Sequence, residues 1–413
     1  MKKITTLFVL IYSLSMFAQR TCGTNDKTNE KINNDPSFRA RHQAILDQIR
    51  NPHTAELRAA APAIVVTIPV VVHVLYKTAA QNISDAQINS QITVLNNDFR
   101  KLNADFFSRV PAVFQPYGAD MEINFVLAKR TPANVTTTGI ERKSVASSFN
   151  FGNSYYTSSG LVAWDPTKYL NIWVGIFTGA DAGILGWAYL PDNAGAPDDG
   201  LAIGYQYFGV GSIDATYNLG RTATHEIGHY FGLDHPWGEG NTAQACGVGG
   251  NSDGVADTPS TSREYYGTPT FPANTYACTP STNGSMFMNY MDYVDDNWMA
   301  FFTAGQKVIM QNTLGGPRSS LLTSLGGTPL ANESFEAQSI SIYPNPAATT
   351  FTISSPKVTV DALEIYNNIG QRIKTQSVSA DSVINIEELS TGIYYLKIFS
   401  EGKYMKTEKL IKR

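Results

Sequence analysis

The sequence of 413 residues is poor in charge, in cysteine and in long apolar runs. Charged residues make up only 16% of the chain, against roughly 25% in ordinary soluble domains. The formal net charge of -4 offers no basic surface, so nucleic acid is not expected as a partner. The 43% of hydrophobic residues, with 33 Gly and 20 Pro, indicate a turn-rich folded chain and exclude a disordered one. The length predicts one large domain and a smaller one.

The N-terminus has the pattern of a signal peptide. Lys2 and Lys3 precede an apolar run from Ile4 to Phe17, and Ala18-Gln19 follows it. We predict a signal peptide over residues 1–19, because the run is too short to span a bilayer. A retained anchor helix is the alternative. The signal peptide implies export through the periplasm to the outer cell surface or the extracellular space.

Three cysteines leave one odd cysteine in an exported protein. Cys246 and Cys278 lie in the same stretch rich in Gly, Asn, Ser and Pro, which predicts a disulfide that closes a loop. Cys22, near the N-terminus of the exported chain, is then unpaired.

The middle of the chain has the pattern of an α+β domain over residues 58–327, after a polar pro-segment over residues 20–57. A β-branched run from Ile64 to Tyr76 predicts a strand, in which Pro69 indicates an edge or a strand start. Ser84 begins a capping box before a long amphipathic helix. Further strands are predicted over Met121–Leu127, Tyr169–Phe177 and Leu201–Tyr207, and helices over Ser37–Arg50, Thr222–Phe231 and Ala304–Leu314. Such a mixture favours a sheet with a helix packed on it.

The last part of the chain differs in pattern. After a linker over residues 328–337, short alternating strands joined by Asn-, Gly- and Ser-containing turns predict a small all-β sandwich over residues 338–413. From its residues alone, this module could be an appendage that binds carbohydrate or a cell surface.

Three of the six histidines fall within the segment HEIGHYFGLDH, as His225, His229 and His235. The four-residue spacing places the first two rings on one face of a helix, where both can reach one zinc ion. Gly232 permits the turn that brings the third ring there. Three neutral imidazoles leave one coordination position for water, as in catalytic zinc sites. Glu226 is then placed to act as a base towards zinc-bound water.

Chance remains an alternative for the five-residue HExxH pattern, and much less so for the full eleven-residue pattern. The other three histidines, His42, His53 and His73, are interpreted as structural or incidental.

The segment HEIGHYFGLDHPWG resembles the signature of the metzincin zinc peptidases, and more closely that of the pappalysin family. The resemblance covers residues 64–320. It implies a metzincin-type domain with a twisted mixed sheet, a backing helix, an active-site helix and a Met-turn. The implied activity is zinc-dependent hydrolysis of protein or peptide substrates. A binding or adhesion protein with a structural metal is the competing class, which Glu226 and the open ligand position disfavour.

The resemblance also implies roles for three residues of the downstream segment SMFMNYMDYVDD. Met291 forms the hydrophobic floor beneath the zinc, and Tyr293 stabilises the oxyanion, although a Tyr simply bonded to backbone is the alternative. Asp296 matches an acidic residue at the base of the pocket that receives the side chain after the scissile bond. That match implies a preference for Arg or Lys. The alternative for Asp296 is a solvated loop carboxylate.

A calcium ion is implied by the segment NSDGVADTPS. Asp253, Asp257 and Thr258 supply oxygen donors at a density that suits calcium, and related pappalysins bind calcium through the corresponding loop. Plain Asx turns are the alternative.

The segment RTCGTND resembles the cysteine-switch segment of matrix metalloproteinases. A Cys22 thiolate could occupy the open zinc position and keep the enzyme latent as a zymogen. An unengaged thiol or an intermolecular disulfide is the alternative. If the pocket prefers Arg, Leu57-Arg58 is a candidate site for autolytic maturation.

The C-terminal module resembles the sorting domain of the type IX secretion system. Its YPNP start and its GIYYLKIF strand, followed by a basic terminal strand, carry the resemblance. The type IX secretion machinery is therefore an expected partner.

Overall fold

The structure, a computed structural model, describes residues 21–50, 65–238, 246, 252–279, 283–330, 340–356, 359–379, 382–400 and 402–413. The chain divides into two units, residues 1–328 and residues 329–413. The predicted signal peptide, the predicted cleavage site at Leu57-Arg58, and His53 lie outside the described residues.

Helices of the first unit lie in the pro-segment, on the sheet and around the histidine motif. Their bounds are α1 Thr24–Asn34, α2 Pro36–Arg50, α3 Asp85–Phe99, α4 Phe106–Arg109, α5 Phe151–Ser154, α6 Arg221–Tyr230 and α7 Ala304–Gly315. Short 3-10 helices cover Ala79–Gln81, Gln115–Tyr117, Gly179–Asp181, Pro191–Asn193, Tyr205–Tyr207 and Ser319–Thr323. Within the described ranges, no helix is both long enough and apolar enough to cross a bilayer.

One mixed sheet organises the first unit. Its strands are β1 Val66–Tyr76, β2 Ile123–Leu127, β3 Ile140–Ser144, β4 Leu170–Gly175, β5 Gly186–Ala188 and β6 Leu201–Gly204. The order is β2-β1-β4-β6-β5, and β3 pairs with the second half of β1. All pairs are parallel except β5 with β6, and β5 forms an edge. This mixed sheet with helices confirms the predicted α+β fold class.

Pro69 lies inside β1, where it is paired with Val126 of β2. The amides of Val66 and Val72 donate towards the β2–β3 side of the strand. Successive amides of a strand alternate in direction, so the missing amide of Pro69 faces the β4 side. Pairing with β4 begins only at Val70, and no ladder bond is therefore lost at Pro69.

Capped helices lie near the histidine motif in the first unit. Helix α3 packs against β2 and α6, and its first turn is capped by Ser84 Oγ, which accepts a hydrogen bond from Gln87 N at 3.1 Å. Helix α7 starts with a capping box between Thr303 and Gln306. Helix α6 also packs against β5 and β6, so the motif lies beside the sheet edge.

The second unit is an all-antiparallel sandwich, as predicted. Its strands are β7 Ser341–Tyr343, β8 Thr350–Ser354, β9 Ala362–Asn367, β10 Arg372–Ser377, β11 Val383–Asn385, β12 Gly392–Ser400 and β13 Lys403–Lys412. One sheet has the order β10-β9-β12-β13 and the other β11-β8-β7. Inward side chains of both sheets, including Phe351, Leu363 and Leu396, form one buried core.

Candidate metal centre

Helix α6 is buried along its whole length, which is unusual for a segment with two histidines and a glutamate. It begins after Gly220, whose φ of 80° turns the chain into the helix. His225 and His229 are four residues apart and project from one face. Both rings are fully buried. Buried imidazoles require partners, and the surrounding groups supply them.

The helix ends in a Schellman motif that redirects the chain. Gly232 has a φ of 92°, its amide donates to His229 O, and Leu233 N donates to Gly228 O. A Cβ at Gly232 would also lie 2.5 Å from Ile49 Cδ1, so glycine is required both by conformation and by space. This turn returns His235 to the helix face, as the sequence predicts.

The Nε2 atoms of His225, His229 and His235 converge in a triangle with sides of 3.1 to 3.2 Å. Nδ1 of His225 lies 2.8 Å from Tyr290 O, and Nδ1 of His229 lies 2.7 Å from Leu233 O. Each of these carbonyls accepts the Nδ1–H, so Nε2 is the atom of the same ring that carries the lone pair a cation would bind. Two ligands about 2.0–2.1 Å from one tetrahedral zinc are about 3.3 Å apart. The donor set therefore fits zinc.

Burial favours the neutral form of two of these rings. It lowers the pKa of His229 to about 4 and, with the neighbouring His229 and His225, lowers the pKa of His235 well below its usual value. The His235 ring also stacks on Trp237, with ring centres 4.6 Å apart. Neutral imidazoles are the form that binds a metal.

Cys22 completes the cluster from the pro-segment. Its Sγ and one nitrogen of each of the three histidines lie within 4.8 Å of one another. The thiol is buried and donates to Glu226 Oε2 at 3.4 Å. Burial, followed by the charge of Glu226, raises the pKa of the Cys22 thiol. A bound metal cation lowers the pKa of a thiol, because a thiol that coordinates the cation loses its proton.

Glu226 is buried beside the histidines and engages a second pro-segment residue. Thr24 Oγ1 donates to Glu226 Oε2 at 3.2 Å and also accepts from Ala188 N at 3.0 Å. Thr24 is thus a site residue that sequence reasoning missed, because a single threonine in a polar segment gives no signal. The pro-segment contacts both the carboxylate and the edge strand.

The pro-segment pairs with the edge of the sheet immediately around Cys22. Leu185 N donates to Thr21 O, and Gly23 N donates to Gly186 O, both at 2.9 Å. Cys22 forms a parallel bridge with Gly186 of β5. The segment therefore adds a short strand to the sheet beside the histidine cluster.

Met291 is fully buried against the middle of α6. A Cβ at Gly228 would lie 2.3 Å from Met291 Sδ, so the sulfur occupies the space that Gly228 leaves. Asn289 fixes the turn, because its Oδ1 accepts from Met291 N and its side chain is hydrogen-bonded to Gln306. Met291 thus lies under the helix turn that carries the histidines.

Tyr293 packs edge-on to the cluster. Its ring centre lies 5.6 Å from that of His225, 5.0 Å from His235 and 4.9 Å from Trp237. Burial, and then the neighbouring Cys22 and Glu226, raise the pKa of the phenol well above its usual value. A neutral phenol is a hydrogen-bond donor, which the proposed role requires.

Asp296 is fully buried and is not a solvated loop carboxylate. Its Oδ2 accepts from Leu219 N at 2.9 Å and from Arg221 N at 3.2 Å, at the start of α6. The two amides hold one carboxylate oxygen in a fixed direction.

The three candidate calcium ligands make two separate sets of contacts. Asp253 accepts from Thr258 Oγ1 with both oxygens, at 2.8 and 2.7 Å. Asp257 instead accepts from Thr303 Oγ1 and Gly305 N, at the start of α7. Burial raises the pKa of Asp253 to about 7. Calcium is not shown by this arrangement.

The other two cysteines and His73 have partners outside this cluster. Cys246 and Cys278 form a disulfide. His73 Nδ1 lies 2.8 Å from Glu141 Oε2, and its Nε2 lies 2.9 Å from Asn171 Oδ1, inside the sheet. Among the described residues, the cluster of Cys22 with three histidines is the one group of three or more such side chains suited to a metal.

Comparisons with known proteins agree with this site. Residues 157–315 match the peptidase family described as pregnancy-associated plasma protein-A, and residues 341–413 match the secretion system C-terminal sorting domain. An extracellular metalloprotease of Pyricularia oryzae is 28% identical over 318 residues, which cover 75% of this chain and 94% of the relative.

Solved structures of a pappalysin peptidase are more similar. A promirolysin mutant of Tannerella forsythia is 38% identical with a TM-score of 0.64, over 73% of this chain and 97% of that one. Mature mirolysin of the same organism, in complex with a cleaved peptide, is 40% identical with a TM-score of 0.57, over 63% of this chain and 97% of that one. The chain therefore belongs to the pappalysin family of metallopeptidases and is a secreted metalloprotease with a C-terminal sorting domain.

Proposed function

We propose that the protein is a zinc endopeptidase, made as a latent zymogen, that cleaves peptide bonds before Arg or Lys. The observation that carries this proposal is the convergence of three imidazole Nε2 atoms beside the buried Glu226. When bound by His225, His229 and His235, zinc would act as a Lewis acid that polarises a carbonyl and lowers the pKa of a bound water.

The chain's own residues have distinct roles in the proposed reaction. Glu226 accepts a proton from the attacking water and returns it to the leaving amine. The neutral phenol of Tyr293 donates to the oxygen that becomes negative in the transition state. Met291 supports the helix turn from below, and β5 offers backbone groups that hold an extended peptide beside the site.

Replacement of the base tests this function. We expect Glu226→Ala, freed of its pro-segment, to retain zinc by elemental analysis and to lose casein hydrolysis by at least about a hundredfold. The parent enzyme treated with o-phenanthroline is the inactive reference. Near-normal casein hydrolysis by the variant would refute the role of Glu226.

Latency is proposed to rest on Cys22 together with the strand that carries it. The sulfur and one nitrogen of each of the three histidines lie within 4.8 Å of one another, which supports the thiol as a fourth ligand of one ion, and residues 21–24 occupy backbone and side-chain groups of the site. A solved promirolysin structure for a relative supports a precursor form. Removal of the pro-segment, with cleavage at Leu57-Arg58 as the proposed maturation step, would free the metal position and the sheet edge together.

Specificity is proposed to rest on Asp296. One of its oxygens is fixed by two amides of the α6 start, so the carboxylate is held in one direction beside the helix that carries the ligands. A fixed carboxylate favours the two parallel hydrogen bonds of a guanidinium. Arg would therefore be preferred over Lys after the cut bond.

Calcium and the secretion route complete the proposal. The Asp253 carboxylate is buried with the Thr258 hydroxyl as its nearest partner, which suits a hard cation bound through oxygen. The second unit would direct export through the type IX secretion system, which the match to a secretion sorting domain supports.

A further inference from the structure

Some of the basic residues of the pro-segment face the enzyme, whereas Arg39 and Arg41 are exposed. Its described acidic residues are all exposed to solvent, namely Asp26, Glu30, Asp35 and Asp47. By contrast, Lys27, Lys31 and His42 turn towards the enzyme and are partly or fully covered. The buried face of the two helices is therefore cationic and apolar, with Phe38 and Leu46 among its buried residues.

Each inward cation contacts a carboxylate of the enzyme. Lys27 Nζ lies 3.3 Å from Asp181 Oδ1. Lys31 Nζ lies 2.7 Å from Asp198 Oδ2, and it donates at the same distance to Asn193 Oδ1. The four charged side chains are at most about a quarter exposed, so solvent screens these pairs less than it screens ordinary surface pairs.

The same surface continues along the second helix. His42 Nδ1 lies 2.7 Å from Asp192 Oδ2, and both residues are buried. Arg41 Nε donates to Asp192 O at 3.0 Å. Aromatic rings of the enzyme also contact the inward lysines. Lys27 Nζ lies 4.8 Å from the centre of the Trp187 ring.

A second ring makes the same kind of contact, since Lys31 Nζ lies 4.1 Å from the centre of the Tyr189 ring. The face of an aromatic ring attracts an ammonium group, and this attraction adds to that of the carboxylates.

We propose that Asp181, Asp192 and Asp198, with Trp187 and Tyr189, form an exosite that binds a basic amphipathic segment of a protein substrate. This surface is called the acidic groove below. The inference rests on the proposed function, because the pro-segment must leave before the groove is open. The pro-segment itself shows the chemistry that fits, since its covered face carries lysines beside apolar side chains.

The position of the acidic groove favours a substrate as the occupant. Asp181 precedes β5, Trp187 lies within β5, and Asp192 follows it. A peptide paired with β5 beside the histidine cluster would therefore continue directly into the groove. Loss of the lysines also leaves Asp181 and Asp198 without those cations, which favours their replacement by other cations.

A comparison of matched peptides tests the exosite. The full-length protein is allowed to mature, and the N-terminus of the active species is sequenced. Two peptides share one cleavage sequence and carry, on either side of it, an amphipathic extension with either four lysines or four glutamines. We expect kcat/KM to be about tenfold higher for the lysine peptide at low salt, mainly through KM, and the ratio to fall towards one at high salt.

Paired variants connect this ratio to the acidic groove. Asp181→Asn combined with Asp198→Asn should reduce the ratio to about one, whereas Asp165→Asn, at an exposed carboxylate that accepts from Thr167, should leave it unchanged. Thermal unfolding of the variants checks the fold. If the double variant does not fold, competition of uncleavable lysine and glutamine peptides against a short substrate gives the same comparison on the parent enzyme.

The outcomes separate the two proposals. Equal cleavage of both peptides by the parent enzyme, or a ratio that survives the double variant, overturns the exosite alone. Failure of the matured protein to cleave any peptide overturns the proposed function and the exosite with it.

Discussion

Single residues of the pro-segment and of the histidine motif meet within a few ångströms, although about two hundred positions separate them. Cys22 Sγ and Thr24 Oγ1 both contact Glu226 Oε2. The proposed latency would thus involve the base as well as the metal position, because Cys22 and Thr24 occupy one of the two carboxylate oxygens of Glu226.

We expect Cys22→Ser in the full chain to raise peptide hydrolysis at least about tenfold over the latent precursor, because a hydroxyl is a much poorer zinc ligand than a thiolate. Activity should stay below that of the mature enzyme, since residues 21–24 still cover β5. Initial rates on a fluorogenic peptide measure this, with Cys22→Ser combined with Glu226→Ala as the inactive control. A variant as latent as the parent would show that the thiol is not the metal-blocking group.

Replacement of Asp296 by Asn should change specificity without unfolding the start of α6. The amide oxygen can still accept from Leu219 N and Arg221 N, whereas the charge that attracts a guanidinium is lost. We expect the preference for Arg over Leu after the cut bond to fall by about tenfold to a hundredfold in a peptide-library digest. Asp295→Asn is the matched control, and an unchanged Arg preference in Asp296→Asn would contradict the pocket role.

Secondary structure elements with a strong periodic pattern were predictable from the sequence. The motif helix α6 and strand β1 lie within two residues of their expected bounds, and helix α3 begins directly after the predicted cap Ser84. Strand β5 was missed because its three residues are too few to show alternation, and it is defined by pairing with β6. Helix α1 was missed because TNDKTNEKINN has no apolar stripe, and polar contacts with the enzyme hold it.

The site was predictable where a motif fixes local geometry, and not where distant segments meet. The histidine spacing and Gly232 anticipate the convergence of the three rings. The contacts of Thr24 with Glu226 and of Tyr290 O with His225 depend on tertiary packing between remote parts of the chain. No local pattern encodes them.

The loop over residues 252–258 carries two carboxylates, Asp253 and Asp257, that should respond differently to calcium. We expect EGTA to lower the melting temperature of the parent enzyme by several degrees, and Asp253→Asn to remove this dependence. Asp257→Asn should instead lower stability by about 1 kcal/mol at any calcium concentration, because Asp257 caps α7. Differential scanning calorimetry with and without calcium measures both. A parent enzyme insensitive to EGTA would leave Asx turns as the explanation of this loop.

At the scale of the whole molecule, the two units have separate hydrophobic cores. We expect a chain that ends at Thr328 to fold and to hydrolyse peptides normally after purification, yet to accumulate inside the cell. Immunoblots of medium and cell fractions measure export. The matched control is a full-length chain with a substitution at the exposed Tyr395, which should be exported normally because the second unit stays folded. Normal export of the truncated chain would contradict the sorting role.

The C-terminal end of helix α2 in the pro-segment also contacts the turn that follows the motif helix. Ile49 is fully buried against the turn at Gly232, and Asn312 Nδ2 donates to Ile49 O at 2.8 Å. A precursor cut after residue 50 therefore keeps both helices in place by non-covalent contacts alone. On the proposed latency, cleavage and dissociation would be separate events, so a freshly nicked molecule would stay inactive until its helices dissociate, and dilution would favour the dissociated state by mass action.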